Sequence, residues 1–134
     1  MDWKREVVVV PVSDVDRAKR FYSEQLSFVV DVDHRAGEGF RVVQLTPPGS
    51  ACSITIGTGL VKSPPGSLQG LQLVVSDIEA ARSELVARGV EVSEIQHFVD
   101  GVPREGRGED WNSFIFFSDP DGNGWTVQEA PARP

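Results

Sequence analysis

An internal repeat constrains the fold of this chain more than any other feature of its sequence. Residues 12–16 read V-S-D-V-D, and the pattern recurs as V-S-D-I-E at residues 75–79. An apolar strand pattern precedes each copy, and apolar residues at spacings of three and four follow it, as in an amphipathic helix. Both copies have the S-x-x-[DE] spacing of a helix-capping motif. We therefore expect two equivalent strand–helix units; the alternative is two unrelated units with common caps.

The repeat continues beyond the helices. Each predicted helix is followed by a short extended run and then by two strands joined at a turn. These three segments lie at about 28–33, 40–46 and 52–57 in the first copy, and at about 90–95, 112–118 and 125–129 in the second. A longer loop at about 97–111 is either a functional lid or a mobile surface insertion.

The boundaries follow from this pattern. Module one covers about residues 5–58, a Pro- and Gly-rich linker about 59–68, and module two about 69–130 of one domain spanning 1–134. A single module cannot bury both faces of its sheet. Two modules side by side would form a concave surface, which is the default place for a ligand.

Charge and composition exclude several functions. The chain has 13 Lys and Arg against 20 Asp and Glu, a net charge of −7, which argues against nucleic-acid binding. Its apolar runs are far shorter than the ~20 residues that cross a bilayer, so no membrane association is expected. No signal-peptide pattern opens the chain. Cys52 is the sole cysteine, which excludes an internal disulfide and fits a cytoplasmic location.

Two segments carry a family resemblance. V-P-V-S-D-V-D-R-A-K-R-F-Y at residues 10–22 and S-D-P-D-G-N-G-W at residues 118–125 resemble the vicinal oxygen chelate superfamily. That superfamily includes glyoxalase I, bleomycin-resistance proteins, fosfomycin-resistance enzymes and extradiol dioxygenases. The resemblance implies an α+β fold in which two βαβββ modules form one open eight-stranded cup with the ligand inside. It also implies a homodimer, for which open sheet edges give a physical reason.

The positions that hold metal ligands in similar proteins are filled by other residue types here. In metal-using members the ligands stand seven residues before the helix-opening Asp and three residues after the turn Asn. The matching residues in this chain are Val7, Ser53, Gly70 and Thr126. None of them is a competent ligand for a catalytic metal. Because His34 and His97 are both predicted in loops elsewhere, we expect no metal site and no cofactor.

Strand alternation assigns side chains to the inside of the predicted cup. The candidate ligand-binding residues are Val9, Ser53, Thr55, Gln72, Thr126 and Gln128. Trp111, just before a strand, is added as a stacking wall for an aromatic ligand, or else it is a core or interface anchor. Neutral polar groups on an inner face favour a ligand-filled or wet pocket. The alternative is an open face that is simply solvated.

The sequence therefore favours a metal-independent protein that binds a small organic molecule. Sequestration of a drug or toxin, like that of bleomycin-resistance proteins, would fit. The alternative is a glyoxalase-like lyase or isomerase that acts on a small metabolite without the usual four-ligand metal site. Its catalytic residues would be unknown, although a His–carboxylate pair in the 97–111 loop could transfer protons. A third possibility is a subunit that only packs against a partner.

Overall fold

The structure is a computed structural model that describes residues 1–131, so the predicted end of the domain at residue 134 lies outside the described part. The chain divides into two compact units. The first consists of Met1–Leu68 together with Asp119–Asn123, and the second of Gln69–Ser118 with the chain from Gly124 onward. Each unit contains one sheet and one helical segment, which makes the fold α+β as predicted.

The first unit contains a four-stranded mixed sheet in the order β1-β4-β3-β2. Its strands are β1 (Val7–Val9), β2 (Val29–Arg35), β3 (Arg41–Thr46) and β4 (Ser53–Thr58). β1 is parallel to β4, and the other pairs are antiparallel. Helix α1 (Val15–Arg20) continues into a π-helical segment at Phe21–Gln25.

The second unit contains a five-stranded sheet in the order β5-β9-β8-β6-β7. Its strands are β5 (Leu71–Val75), β6 (Gln96–Val99), β7 (Val102–Glu105), β8 (Phe114–Ser118) and β9 (Gly124–Glu129). β5 is parallel to β9, which repeats the parallel pair of the first unit. Helix α2 (Ile78–Ala87) contacts β8 and β9.

The repeated Asp residues begin both helices, whereas the S-x-x-[DE] spacing placed the cap one residue earlier, at Ser13 and Ser76. The Asp14 side chain accepts a hydrogen bond of 3.0 Å from the Arg17 amide, and Asp77 does the same for the Ala80 amide at 3.0 Å. Each aspartate has extended backbone angles, and its carboxylate satisfies one of the amides left open at a helix start. The repeated motif thus fixes where each helix leaves its first strand.

The segment between α2 and β8 departs from the prediction in three ways. The extended run expected at 90–95 forms only a single bridge, between Val92 and Phe117. The loop expected at 97–111 instead contains the β6–β7 hairpin, closed by Asp100 and Gly101 with φ of 52° and 78°. Positive φ at both central residues is the geometry of a tight hairpin turn. The described part of the chain therefore has nine strands, where eight were predicted.

The D-P-D-G-N turn belongs structurally to the first unit. Asp119 accepts hydrogen bonds from the Tyr22 hydroxyl at 2.7 Å and from the Asn123 side chain at 2.8 Å. Asn123, fully buried, also donates to the Pro11 carbonyl at 2.8 Å and accepts from the Leu68 amide at 3.0 Å. These buried groups have partners, as buried polar groups require. The motif therefore has a structural role, joining segments that are far apart in sequence.

A cluster of charged side chains also holds segments of the first unit together. The buried guanidinium of Arg41 binds Asp33 at 2.9 and 3.0 Å and Asp16 at 2.8 Å, and Lys19 binds Asp33 at 2.8 Å. Hydrogen bonds from Arg41 and Lys19 hold the pKa of Asp33 well below its usual value, and the pKa of Arg41 is raised by the same pairing. The cluster joins α1 to β2 and β3.

None of the described helices is long and apolar enough to span a membrane.

Candidate functional site

The second sheet has two chemically different faces. One is buried on the side of α2 and consists of apolar residues, namely Ile115, Phe117, Trp125 and Val127. The other carries the residues that alternate with them. We call it the open face, and by the strand register it includes Gln72, Val74, Gln96, Phe98, Phe114, Phe116, Thr126 and Gln128, with Glu105 opposite Gln96 on β7. Period-two alternation separates the two sets.

Three phenylalanines form a row on the open face. The ring centroids of Phe98 and Phe114 lie 5.5 Å apart at 70°, an edge-to-face arrangement. Those of Phe114 and Phe116 lie 6.3 Å apart at 14°, which makes the rings nearly parallel. These spacings are typical of favourable aromatic contacts. Because all three side chains are only half-buried, the row presents aromatic surface for a further contact.

Two glutamines lie beside this row and are joined by a hydrogen bond. Gln72 Nε2 donates to Gln128 Oε1 at 2.6 Å, and Gln128 Nε2 donates to the Trp111 carbonyl at 2.7 Å. Thr126 lies directly across from Gln72 in the parallel pair β5–β9. The open face therefore combines aromatic surface with neutral amides and a hydroxyl.

Trp111 occupies an unusual backbone position next to the open face. Its φ is +64° and its side chain is 48% exposed. A bulky residue at positive φ is strained, and such strain clusters at functional sites. The next residue, Asn112, accepts from the Phe98 amide at 2.9 Å and donates to the Phe98 carbonyl at 2.8 Å. The loop that carries Trp111 is thereby fastened to the hairpin that carries Phe98.

An ion pair holds the same loop to the end of β9. Arg107 and Glu129 are 2.5 Å apart, and Glu129 also accepts from the Ile78 amide at 2.8 Å. Burial raises the pKa of Glu129, but the Ile78 amide and Arg107 outweigh it and lower the pKa below its usual value. Pairing with Glu129 raises the pKa of Arg107. Both groups are therefore charged near neutral pH, and they position the loop.

The predicted site residues of the first unit lie on the face of its sheet opposite Ile54 and Ile56. Val9 is half-buried and is the Cα partner of Thr55, while Ser53 and Thr55 are both 7% exposed. The Ser53 and Thr46 hydroxyls are 2.6 Å apart, and Thr46 also hydrogen-bonds the Asp31 carboxylate. Ser53 is thus engaged within its own sheet. The structure brings Gln72, Gln128 and Trp111 into one hydrogen-bonded set and places Thr126 beside them.

Ser53 and Thr126 were matched from the sequence to equivalent metal-ligand positions on the last strands of the two modules, and the strand register corrects this equivalence. Thr126 lies opposite Gln72, whereas Gly70 precedes β5. The matching pair in the first unit is Val9 with Thr55, so Thr55 rather than Ser53 is the counterpart of Thr126. The corrected position again holds a neutral hydroxyl. Within residues 1–131, no group of three or more His, Cys, Asp and Glu side chains could hold a metal ion.

Both histidines lie on strands, although loops were predicted for them. His34 is in β2, opposite Val42. His97 is in β6, where its Nδ1 is 2.9 Å from the Gly106 carbonyl oxygen. Neither position belongs to the open face as defined above.

The aromatic row was missed because no face was assigned to the strand predicted at 112–118. The F-I-F-F run at residues 114–117 is apolar throughout, so the sequence does not show which residues face outward; in the structure half-buried Phe114 and Phe116 alternate with buried Ile115 and Phe117. The hairpin that supplies Phe98 did have a signal, since V-D-G-V at residues 99–102 is a strong turn pattern.

The repeated unit of strand, helix and sheet, with a parallel first and last strand in each copy, defines a protein of paired βαβββ modules. The chain belongs to the Glyoxalase/Bleomycin resistance protein/Dioxygenase superfamily, whose model matches residues 5–127.

Several solved structures resemble this one. TnmS3 from Streptomyces sp. CB03234, described as an antibiotic binding protein, is 31% identical, with 98% of each chain covered and a TM-score of 0.77. A glyoxalase/bleomycin resistance protein from the same organism is 32% identical over 93% of this chain and 99% of its own, with a TM-score of 0.73. The curated protein YetH of Bacillus subtilis, described as uncharacterized, is 25% identical over 123 residues, which cover 91% of this chain and 94% of YetH.

Proposed function

We propose that this protein binds a small organic molecule with a planar aromatic part on the open face of the second sheet, without a metal ion. The observation that carries this proposal is the half-buried row of Phe98, Phe114 and Phe116 beside neutral amides. Ligand sites combine apolar and aromatic walls with a few placed polar groups. Trp111, whose backbone carbonyl accepts a hydrogen bond from Gln128, has an exposed side chain that we propose as a further aromatic contact.

The likeness to TnmS3 supports a role in sequestration. That neighbour is described as an antibiotic binding protein, and the two chains match over 98% of their lengths. We therefore propose that the ligand is a drug or toxin held by binding. Within the first unit, Val9, Ser53 and Thr55 remain the proposed ligand-binding residues.

Metal independence rests on the chemistry of the side chains at the expected ligand positions. Val7 and Gly70 have no donor atom in the side chain, and Ser53, Thr55 and Thr126 offer only neutral hydroxyls. Zinc, nickel, iron and manganese sites in proteins use imidazole, thiolate or carboxylate groups.

Binding is proposed rather than catalysis because of the composition of the open face. A lyase or isomerase needs a group that moves a proton or stabilises charge at the reacting atom. On β5, β8 and β9, around the aromatic row, the open face carries aromatic, aliphatic, amide and hydroxyl side chains. Such groups bind and orient a ligand.

The test is an equilibrium titration of a panel of neutral planar compounds of two to four rings, with 7-hydroxyflavone as the lead probe. We expect saturable binding that Phe114→Ala weakens at least about tenfold, since the variant removes an aromatic contact and its apolar area. The matched control is Val86→Ala, which alters an exposed residue on α2. No saturable binding by any compound would contradict the proposal.

The same titration tests the metal. With EDTA, or with added zinc, nickel or manganese, the affinity should not change. Near-stoichiometric metal retained through dialysis, and lost on substitution of Ser53 or Thr126, would overturn metal independence and support a glyoxalase-like enzyme.

A homodimer and a cytoplasmic location complete the proposal. β2 is an edge strand that exposes Val29 and Val32, and such an edge favours cover by another chain. Sedimentation velocity at micromolar concentration should give a dimer, and a clean monomer would count against it.

The proposed cytoplasmic location is supported by Cys52, which is an unpaired thiol, and cell fractionation tests it.

A further inference from the structure

We propose, building on the proposed function, that Gln72, Gln128 and the Trp111 carbonyl form a hydrogen-bond chain with a fixed direction. This chain would make the site select ligands that carry a hydroxyl or N–H group next to their aromatic plane. The inference rests on two contacts, of 2.6 and 2.7 Å, that share Gln128.

The direction follows from the chemistry of the last member. A backbone carbonyl can only accept a hydrogen bond, so Gln128 must turn its NH₂ group toward Trp111. Its Oε1 atom then faces Gln72 and can only accept, so Gln72 must donate through Nε2. The Trp111 carbonyl, which can only accept, thereby fixes the orientation of both side-chain amides. Without it, each amide could be rotated by 180° to exchange its oxygen and its nitrogen.

The free end of the chain is therefore an acceptor. With its NH₂ group committed to Gln128, Gln72 has only Oε1 left to offer, on β5 at the edge of the second sheet. Gln72 is exposed, and its Oε1 accepts no hydrogen bond from the described residues. Thr126 lies between Gln72 and Phe116 in the strand register, so a ligand that extends from the aromatic row over Thr126 to β5 would meet this oxygen, and a matching donor would complete the chain.

A ligand without that donor would leave Oε1 desolvated and unpaired. The loss of one neutral hydrogen bond, with its polar partner left unmatched, corresponds to about a fivefold change in affinity. The residues that surround Gln72 on this face, namely Val74, Thr126 and Gln128, are uncharged, so a neutral donor satisfies its acceptor. The proposed class is a neutral planar aromatic molecule with a hydroxyl, amine or amide N–H at its edge.

The experiment compares 7-hydroxyflavone with 7-methoxyflavone, which differ only in that donor. The wild-type protein should bind the hydroxyl compound about fivefold more tightly. Gln72→Leu should bring the affinity ratio close to one, because it removes the acceptor. Val74→Ala, on the same strand and face, should leave the ratio unchanged.

A second variant distinguishes the proposed hydrogen-bond chain from a direct contact between the ligand and Gln72 alone. Gln128→Met keeps Gln72 but frees its amide to present either oxygen or nitrogen, so the ratio should again fall toward one. Equal binding of both flavones to the wild type, or a Gln128→Met variant with the wild-type ratio, would overturn the chain while leaving the proposed function intact. Binding of neither flavone would overturn this ligand class, and the absence of saturable binding by any compound of the panel would overturn the proposed function as well.

Discussion

The two units resemble each other in topology but use their polar residues in opposite ways. In the first unit, Arg41, Asp33 and Asp119 are bound to other side chains of the same unit and hold segments together. In the second, Gln72 and Gln128 lie on an open sheet face beside aromatic rings. The charged side chains of the first unit hold its segments together, whereas neutral side chains form the candidate ligand-binding site of the second unit. Two copies of one topology can therefore use their polar residues for different purposes.

The sharpest test of the two sheet faces compares two phenylalanines on opposite faces of β8. Phe117→Ala removes a side chain that is 5% exposed on the buried face, so it should lower the free energy of unfolding by about 3–5 kcal/mol. Phe114→Ala, on the open face, should cost less than half as much, yet it should weaken flavone binding. Urea denaturation and titration measure the two effects. Equal losses of stability would contradict the face assignment.

A smaller effect on stability should come from the turn in the first unit. Asp119→Ala leaves the Tyr22 hydroxyl and the amide of Asn123 without their buried acceptor, and should cost about 3 kcal/mol. The control is Asp121→Ala: the Asp121 side chain is also only 6% exposed, but its partners Ser13 and Arg17 are exposed and regain water, so the cost should be smaller, about 1.5 kcal/mol. Binding on the open face should persist in both folded variants. A loss from Asp121→Ala as large as that from Asp119→Ala would weaken the structural role assigned to Asp119.

Trp111 should show opposite effects on stability and binding. Glycine adopts φ of +64° without strain, so Trp111→Gly should be about 1 kcal/mol more stable than Trp111→Ala, which keeps the strained backbone. Both variants should bind the flavone more weakly because both lack the indole ring. Thermal unfolding of the two variants isolates the backbone contribution. Equal stability of the glycine and alanine variants would show that the position stores no strain.

The smallest expected effect is a pH dependence confined to the first unit. The folded-state pKa of Asp33 lies below its unfolded value, because Arg41 and Lys19 stabilise the carboxylate. Its contribution is therefore fully present above the unfolded pKa of about 4 and is lost as the pH falls through the folded pKa. Asp33→Asn should be about 1 kcal/mol less stable than wild type at pH 6, and the gap should narrow by pH 3. Urea denaturation at both pH values measures it, and a constant gap would contradict the linkage.

The fold class followed from the sequence because it depends on local patterns. The repeated V-S-D segments located both helix starts to within one residue, although the capping group is Asp14 or Asp77 and not the preceding Ser, and the alternation along β9 was visible without coordinates. The β6–β7 hairpin was missed because a charged, Gly-containing segment was taken for a loop, although Asp100-Gly101 is a hairpin turn. Alternation along a strand identifies candidate site residues only when the side chains that face the core have been distinguished from those that do not. This was not done for the strand predicted at 112–118.

The candidate site was predictable only in part. Alternation selected Gln72, Thr126 and Gln128, which share one face. Their hydrogen-bond direction depends on the Trp111 carbonyl, which reaches Gln128 across 17 residues of chain. A backbone group that far away leaves no trace in local sequence, so the link between the amides and the tryptophan loop required the three-dimensional structure.

The turn at 119–123 has a consequence for how this protein is made. Its bonds to Tyr22 and Pro11 span 97 and 112 residues, so the first unit lacks its last partners until most of the chain has left the ribosome. Closing such long loops is slow, because their entropy must be lost before the contacts form. Synthesis order and assembly order therefore differ. The amino-terminal half emerges first but waits on the carboxy-terminal quarter, and a nascent chain stalled before residue 119 would hold an incomplete first unit.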